Sequence, residues 1–468
     1  MNKSIITRFA PSPTGEMHIG NVRTALFEYL TAKHEGGKFL MRVEDTDRER
    51  FVEGATERIV ESLKWLGIMP ENLDSLVVQS ERLDIYRKFA LQLVEEGKAY
   101  ICTCTKEKLE EDRKKQEAEK RPTGYAGHCR EAELKLEEVK EGQYVIRMKM
   151  PKSGRAIVHD LIRGDVEFDL SLSDDQVILK SDGYPTYHLA AIVDDHEMKI
   201  THVIRGEEWL SSTPKHLELY KMFGWTAPEF AHLPIILAPD KTKLSKRHGA
   251  VSVAEYRNLG YLPEALVNFM ALLGWNPKDE RELFTLPELE TEFKLENVNK
   301  SPAVFDLNKL NNINAYYIQE QVKSQKSKVK SAIENFISDL SDQELELIGR
   351  GGFKTLKEAA DYILKLREEP KYEGEILIFK RSDKKNTLLA LRQVLEKFEK
   401  IEEWNADKVQ QALEYTVIEN GLGNGDVFWP VRVALSGEEK SPSPVELAVA
   451  LGKEESMKRT KKAISGLS

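Results

Sequence analysis

Two hydrophobic periods organise the first part of the chain. Residues 4–10 carry Ile5, Ile6 and Phe9 in a short apolar run that predicts a buried strand, and Pro11, Pro13 and Gly15 forbid its continuation. Over residues 21–34 the apolar positions Val22, Ala25, Leu26, Tyr29 and Leu30 recur on one helical face. Gly36-Gly37 ends that helix, and residues 38–44 form a second strand-like run. Strand, helix and strand in this order predict a parallel βαβ unit. His18 and Gly20 then sit at the helix N-terminus, beyond the carboxyl end of the first strand. Open α/β sheets bind ligands there, and unpaired N–H groups and the helix dipole favour phosphate.

Helical periodicity resumes over residues 52–66 and 83–96. Between residue 100 and about 168 the character changes. A charged run over 106–121 separates the cysteines, and strand-like pieces at 144–150 and 156–161 mark an α+β insertion. Residues 177–179, 201–204 and 233–237 read as returning strands of the nucleotide fold, with helices between them. Residues 262–273 open a helical linker, and from 320 onward the pattern is helical almost throughout, with many Glu/Lys pairs. A chain of 468 residues exceeds one core and suits about three or four domains. The expected division is 1–100, a first Rossmann-type half; 101–175, the insertion; 176–255, a second half; 256–320, a helical linker; and 321–468, all α.

Composition narrows the class. With 41% hydrophobic and 31% charged residues the chain suits a soluble folded protein. It contains no apolar run of the roughly 20 residues a bilayer requires, and its N-terminus lacks signal-peptide anatomy, so no membrane and a cytoplasmic setting are expected. The net charge of −9 argues against non-specific binding to nucleic acid through overall charge, while leaving room for a local basic face, and no DNA partner is expected. Three cysteines, Cys102, Cys104 and Cys129, are poor material for a disulfide framework. Three thiols in one segment suit zinc, which normally takes four ligands in a closed structural site.

Five strings then stand out in order: RFAPSPTGEMHIGNVRTALF, VEDTDRER, KSDGYPTYHLA, VIRGEEWL and DKTKLSKR. Together they closely resemble the bacterial glutamyl-tRNA synthetases of class I, and the resemblance spans the whole chain. It implies an α/β Rossmann-type class I catalytic domain with an α+β insertion that grips the tRNA acceptor end. A helical segment that contacts the tRNA stem and an all-α anticodon-binding region follow. The activity implied is ATP-dependent attachment of L-glutamate to tRNA(Glu) through glutamyl-adenylate. A non-discriminating form would also charge tRNA(Gln). Mg2+ is expected to accompany ATP, and the protein is expected to be a monomer.

The chemistry brings an anion against a polyanion, so positioned cations and donors matter more than acid–base groups. By the resemblance, His18, Lys243 and Lys246 are the catalytic set, the lysines on a mobile loop that closes on the triphosphate. Pro11, Ser12, Thr14, Gly20, Asn21, Glu208, Trp209, Leu237 and Ser245 join them at ATP. Asn21 stands where the usual HIGH string has its second histidine and brings no charge. Glutamate falls to Arg8, Ala10, Ser12, Glu44, Tyr187 and Arg205: Glu44 for the ammonium, and Arg205 for specificity through a bidentate carboxylate pair. Ala191 departs from relatives that carry Asn there. For zinc, Tyr125 fits one family pattern as fourth ligand, Glu131 occupies the position where others carry His, and His128 is a third candidate. Two rival readings stand against this one. A catalytically silent scaffold would have no need of Lys246, and a shorter relative that modifies a tRNA base lacks the region 320–468.

Overall fold

The computed structural model describes residues 4–249 and 252–467, and the side chain of Lys246 lies outside the described residues. The chain gathers into two compact units, Met1–Glu255 with Leu266–Asp306, and Tyr256–Ala265 with Leu307–Ser468. The segment 256–320 is thereby divided between them.

The first unit begins with the βαβ element its periodicity predicts. Strand β1 (Ile6–Phe9) leads to helix α1 (Ile19–His34) and strand β2 (Lys38–Val43), with β1 and β2 parallel from Ile6 opposite Lys38 to Phe9 opposite Met41. The turn between helix and strand needs its glycines. Gly36 has φ +61°, and a Cβ on Gly37 would lie 2.0 Å from the Ile5 carbonyl oxygen. Helix α1 is buried on nearly every side, and Phe27 meets Phe293 edge-on at 5.0 Å on the helix Leu286–Glu292 side.

The remaining strands are β3 (Val77–Val78), β4 (Ala99–Cys102), β5 (Val145–Met148), β6 (Arg155–Asp160), β7 (Gly164–Asp169), β8 (Val177–Leu179), β9 (His202–Gly206), β10 (Glu229–Leu233), β11 (Ile236–Leu237) and β12 (Ala303–Val304). Helices α2 (Ala55–Leu66), α3 (Leu83–Glu95), α4 (Lys106–Ala118), α5 (Tyr187–Glu197) and α6 (Thr213–Phe223) lie among them. Strand β3 extends the sheet beyond β2, while β9, β10 and β6 follow one another in parallel and β7 closes the edge as an antiparallel hairpin on β6. The two sets meet where Thr201 N donates to Ile6 O at 2.9 Å and Ile6 N to Thr201 Oγ1 at 2.8 Å. A second core of Tyr86, Leu93, Ile146, Ile178, Leu189 and Leu219 joins α3, α5 and α6 to an antiparallel sheet of β4, β5 and β8.

Two strand assignments differ from the apolar pattern. Residues 177–179 pair antiparallel with β5, Leu179 opposite Ile146, and belong to the insertion's sheet instead of the nucleotide sheet. The strand expected at 233–237 is broken at Pro234, which has no N–H for a ladder. Its sheet-forming part is β10, upstream, and Ile236–Leu237 pairs instead with Ala303–Val304. The strand-like piece expected in the insertion at 156–161 is β6, which with β7 forms a hairpin at the edge of the nucleotide sheet, through Asp160 opposite Phe230.

The second unit is helical apart from its connections, among the described residues. Ser341, Thr355, Asp383 and Asn405 each accept a backbone N–H at a helix start, the capping that such residues provide. Arg459, 2% exposed, donates to the carbonyls of Leu366, Glu368 and Leu435 and ties the last helix to its neighbours. No helix among the described residues is long and apolar enough to cross a membrane.

Candidate functional site

Strand order in the first unit reverses between β1 and β9, and a cleft of about 230 Å³ opens at their carboxyl ends. Arg8, Ala10, Pro11, Ser12 and Thr14 line it from β1 and the turn after it; Asn21 from α1; Glu44 from the end of β2; Tyr187 from α5; Arg205, Glu208 and Trp209 from β9 and the turn that follows. His18, Gly20, Leu237, Lys243 and Ser245 lie outside this lining.

Beneath the cleft runs a buried ionic network that the sequence did not disclose. Arg8 Nε donates to Asp195 Oδ1 at 3.0 Å and its Nη1 to Glu28 Oε1 at 3.3 Å. Arg42 gives Nη1 to the same Asp195 oxygen at 2.8 Å and Nη2 to Glu44 Oε1 at 2.9 Å. Neighbouring Asp194 accepts from Tyr86, Gln79 and Arg82. Burial alone would raise the Asp195 carboxyl, but Arg8 and Arg42 outweigh it and hold it below the usual carboxylate range. Glu44 goes the other way: burial lifts its carboxyl in spite of Arg42. A cationic ligand group beside Glu44 would relieve that desolvation.

Arg205 stands differently. It is 6% exposed, and no carboxylate lies within ion-pair reach among the described residues. Its partners are all uncharged acceptors: Tyr187 Oη at 2.9 Å and His216 Nδ1 at 3.2 Å from Nη1, Thr213 Oγ1 at 2.9 Å and the Trp209 carbonyl at 3.3 Å from Nη2, and His232 Nε2 at 3.0 Å from Nε. A buried guanidinium held only by neutral groups is an uncompensated charge, and an anion entering the cleft would compensate it. Trp209 packs on Tyr187 with ring centroids 4.4 Å apart.

The histidines around this cation stay neutral. Burial with Lys215 brings His188 down to about 4, and burial with Arg205 pushes His216 well below its ordinary value. Native His188 therefore binds fewer protons than an unfolded histidine. Its contribution to stability is whole above about pH 6.5 and is lost as pH falls from there towards 4. The raised carboxyls of Glu28 and Glu44 act oppositely, so the check is a comparison. The fall in Tm between pH 7.5 and 5 is expected to be smaller in His188→Gln than in the wild type. Equal falls would mean that His188 charges in place.

His18 is the N-cap of α1, and its Nδ1 accepts the Gly20 N–H at 3.0 Å. That bond puts the proton of the neutral ring on Nε2, leaving that nitrogen a donor. A Cβ at Gly20 would touch only His18 Nδ1, at an ordinary 3.5 Å, so the protein's own packing does not require glycine there. The loop with Lys243 is a hairpin: Leu237 bridges Lys243, Leu244 N donates to Ile236 O at 3.1 Å, and Lys241 takes φ +65° at the turn. Lys243 is exposed, and Ser245 N donates to His248 Nδ1 at 3.1 Å. The chain leaving this loop returns to the start of α1, where Ser252 pairs antiparallel with His18 and Val253 N donates to Met17 O at 3.1 Å. The segment that follows the second motif thus reaches the first through the backbone.

In the insertion, the sulfurs of Cys102, Cys104 and Cys129 lie within 4.8 Å of one another. The Tyr125 hydroxyl sits among them, 3.4 Å from Cys102 Sγ and 3.6 Å from Cys104 Sγ. The other two candidates point elsewhere. Glu131 is exposed and pairs with Arg130 at 3.5 Å, and His128 bonds Asp112 at 2.6 Å. Tetrahedral zinc with Zn–S bonds of about 2.3 Å would hold sulfurs about 3.8 Å apart; Cys104 and Cys129 stand at 3.5 Å. The donor set fits.

Comparison with known proteins identifies the family. Residues 4–312 match the family described as tRNA synthetases class I (E and Q), catalytic domain, and residues 343–464 match an anticodon binding domain. The chain is 46% identical to glutamate–tRNA ligase 1 of Caldanaerobacter subterraneus subsp. tengcongensis, covering 99% of this chain and 98% of that protein. It is 45% identical to glutamate–tRNA ligase 2 of Thermoanaerobacter pseudethanolicus, covering 98% and 97%. Among solved structures it is similar to a glutamate tRNA ligase of Elizabethkingia meningosepticum in complex with its amino acid, with TM-score 0.86, 38% identity and full coverage of both chains. With both domain families in order and full-length similarity at this level, the chain belongs to the glutamate–tRNA ligases, class I aminoacyl-tRNA synthetases.

Proposed function

We propose that this chain activates L-glutamate with ATP as glutamyl-adenylate and transfers the glutamyl group to tRNA(Glu). The observation that carries this reading is the buried, uncompensated Arg205 facing the same cleft as the carboxylate of Glu44, only 10% exposed. An amino acid with an anionic side chain matches both: Glu44 takes the ammonium, and Arg205 with Tyr187 takes the side-chain carboxylate. Arg8, Ala10 and Ser12 border the main-chain carboxylate. ATP occupies the mouth, along Pro11, Ser12, Thr14, Gly20 and Asn21, with Glu208, Trp209 and Leu237 on the far side. His18 donates from Nε2 to the α-phosphate region, while Lys243, Ser245 and Lys246 follow the departing pyrophosphate. Mg2+ comes with the nucleotide.

Residues 101–175 receive the acceptor end, 256–320 contact the stem and 321–468 read the anticodon. We read the enzyme as a cytoplasmic monomer, and parallel charging assays with tRNA(Glu) and tRNA(Gln) decide whether it discriminates between them. ATP–pyrophosphate exchange with glutamate and tRNA tests the central reaction. Its absence in a folded preparation would leave a silent tRNA-binding scaffold. In the same assay Lys246→Ala is expected to lower the activation rate about 10²-fold, the scale of one lost charge-stabilising donor, with KM for glutamate nearly unchanged. An unaltered rate removes the loop from the chemistry.

Zn2+ suits Cys102, Cys104 and Cys129 with Tyr125 as fourth donor, where it would clamp the insertion and take no part in bond making. Metal analysis is expected to find about one zinc per chain, and Cys104→Ser is expected to raise KM for tRNA. Protein purified without chelator and free of zinc would overturn this assignment.

A further inference from the structure

Arg205 is held from behind by a charge two steps away. Asp160, at the end of β6, accepts four N–H groups. Oδ1 takes the backbone N–H of Ile162 at 3.0 Å and of Arg163 at 2.8 Å, while Oδ2 takes the backbone N–H of His232 at 3.0 Å and lies 2.6 Å from His232 Nδ1. Every lone-pair direction of this carboxylate is thereby used, and both side chains are fully buried. The carboxylate fixes the proton of the imidazole on Nδ1. The opposite nitrogen, Nε2, is then a lone pair, and it receives Arg205 Nε at 3.0 Å, with the Thr213 hydroxyl 3.2 Å away. The other tautomer would set two N–H donors against each other. Asp160 and His232 come from β6 and β10, while Arg205 comes from β9, so the chain of contacts crosses three neighbouring strands of one sheet.

We infer that Asp160 and His232 are positioning residues for glutamate recognition: the Asp160–His232 pair locks the Arg205 guanidinium by its Nε edge, so that its Nη edge is presented to the substrate's side-chain carboxylate. This rests on the reading of Arg205 given above. All five N–H groups of Arg205 have protein acceptors, so an entering carboxylate must take over those now given to Tyr187 and Trp209, the two partners that line the cleft, and a swivelling guanidinium would present them out of line. The Nη atoms are steadied by Tyr187, His216, Thr213 and the Trp209 carbonyl, but among the described residues only His232 holds the Nε edge.

Two substitutions separate the contacts. In His232→Gln the amide oxygen reaches the place of Nε2 and still accepts from Arg205. In His232→Asn the amide reaches only the place of Nδ1, keeping Asp160 satisfied and leaving Arg205 Nε without its acceptor. Measured by ATP–pyrophosphate exchange with tRNA(Glu), His232→Asn is expected to raise KM for glutamate about tenfold and to reduce the preference for glutamate over glutamine similarly, with kcat little changed. That is the scale of one lost hydrogen bond to a charged group. His232→Gln should stay within about threefold of the wild type. Folded His232→Asn enzyme with wild-type KM and preference would overturn the inference, as would equal losses in both variants. Arg205→Ala, assayed alongside, separates the two ideas. If it erodes discrimination and His232→Asn does not, the role of His232 falls alone; if neither does, the reading of Arg205 falls with it.

The wild type supplies a test free of folding effects. In full-length protein labelled with 15N at histidine, the Asp160–His232 pair should give a downfield, slowly exchanging Nδ1–H. The comparably short pairs, His128–Asp112 and His159–Asp165, are exposed and exchange fast. No protected Nδ1–H, or a protected Nε2–H in its place, would overturn the tautomer on which the positioning depends.

Discussion

Arg205→Ala is expected to lower kcat/KM for glutamate about 10²- to 10³-fold and to bring glutamate and glutamine close to parity. The magnitude is that of truncating one partner of a desolvated charge pair, about 3–4 kcal/mol. The guanidinium has neutral acceptors for its donors already, so what an entering carboxylate adds is charge. The amide of glutamine adds none, and glutamine would leave the buried cation as uncompensated as in the free protein. The variant should still fold. Removing an unpaired buried charge relieves a desolvation penalty, and Arg205 and Tyr187 border a cleft that water can enter. Arg205→Lys should fall between the two, because it restores the charge without the fork. Exchange kinetics with each amino acid measure this directly. Discrimination that survives the alanine substitution would place the carboxylate elsewhere in the cleft.

The part of this site that could be read in the chain is the part built on strong periods and turn chemistry. Residues 4–44 announce a βαβ unit because α1 and its flanking strands are buried and therefore apolar at regular spacing. Strand β10 is not legible because Glu229 and His232 interrupt its apolar run, and β7 is not because its positions alternate only between half-buried and exposed. The ionic floor eluded the reading for another reason: Glu28, Arg42 and Asp195 are far apart in the chain, and polar residues are presumed to face water. A signal was present. Arg42 sits inside KFLMRV, and Asp194-Asp195 follows the wholly apolar LAAIV of α5. An ionisable residue embedded in an otherwise buried segment must find a partner, although the sequence does not say which. Ligand spacing likewise left Tyr125, Glu131 and His128 equivalent, and only the backbone path through Cys129, whose N–H donates to the Tyr125 hydroxyl at 2.8 Å, brings one of them to the sulfurs.

The floor carries the other large expected effect. Asp195→Asn should destabilise the protein by about 3–5 kcal/mol at neutral pH, because one oxygen of Asp195 serves both Arg8 and Arg42 and its loss leaves two buried guanidinium groups short of negative charge. Glu28 offsets part of this. Its carboxyl is raised well above the usual range by burial and by the neighbouring Asp195 charge, in spite of Arg8, and it would ionise more readily once that charge is gone. Because the folded pKa of Asp195 is depressed, its contribution is present above about pH 4 and is lost as pH falls through the folded value, so the gap between wild type and variant should close only in acid. Replacing the whole network by apolar side chains could be nearly neutral for stability, but it would remove the function that the charges serve. Arg42 holds Glu44 at 2.9 Å, and Arg8 borders the same cleft. Asp195→Asn should therefore also raise KM for glutamate, as Arg42 turns towards Asp194, 3.7 Å from its Nε, and draws Glu44 out of place. Urea unfolding at pH 7.5 and glutamate kinetics on the same preparation test both halves, and an unfolding midpoint equal to the wild type's would show that the two arginines find their compensation without Asp195.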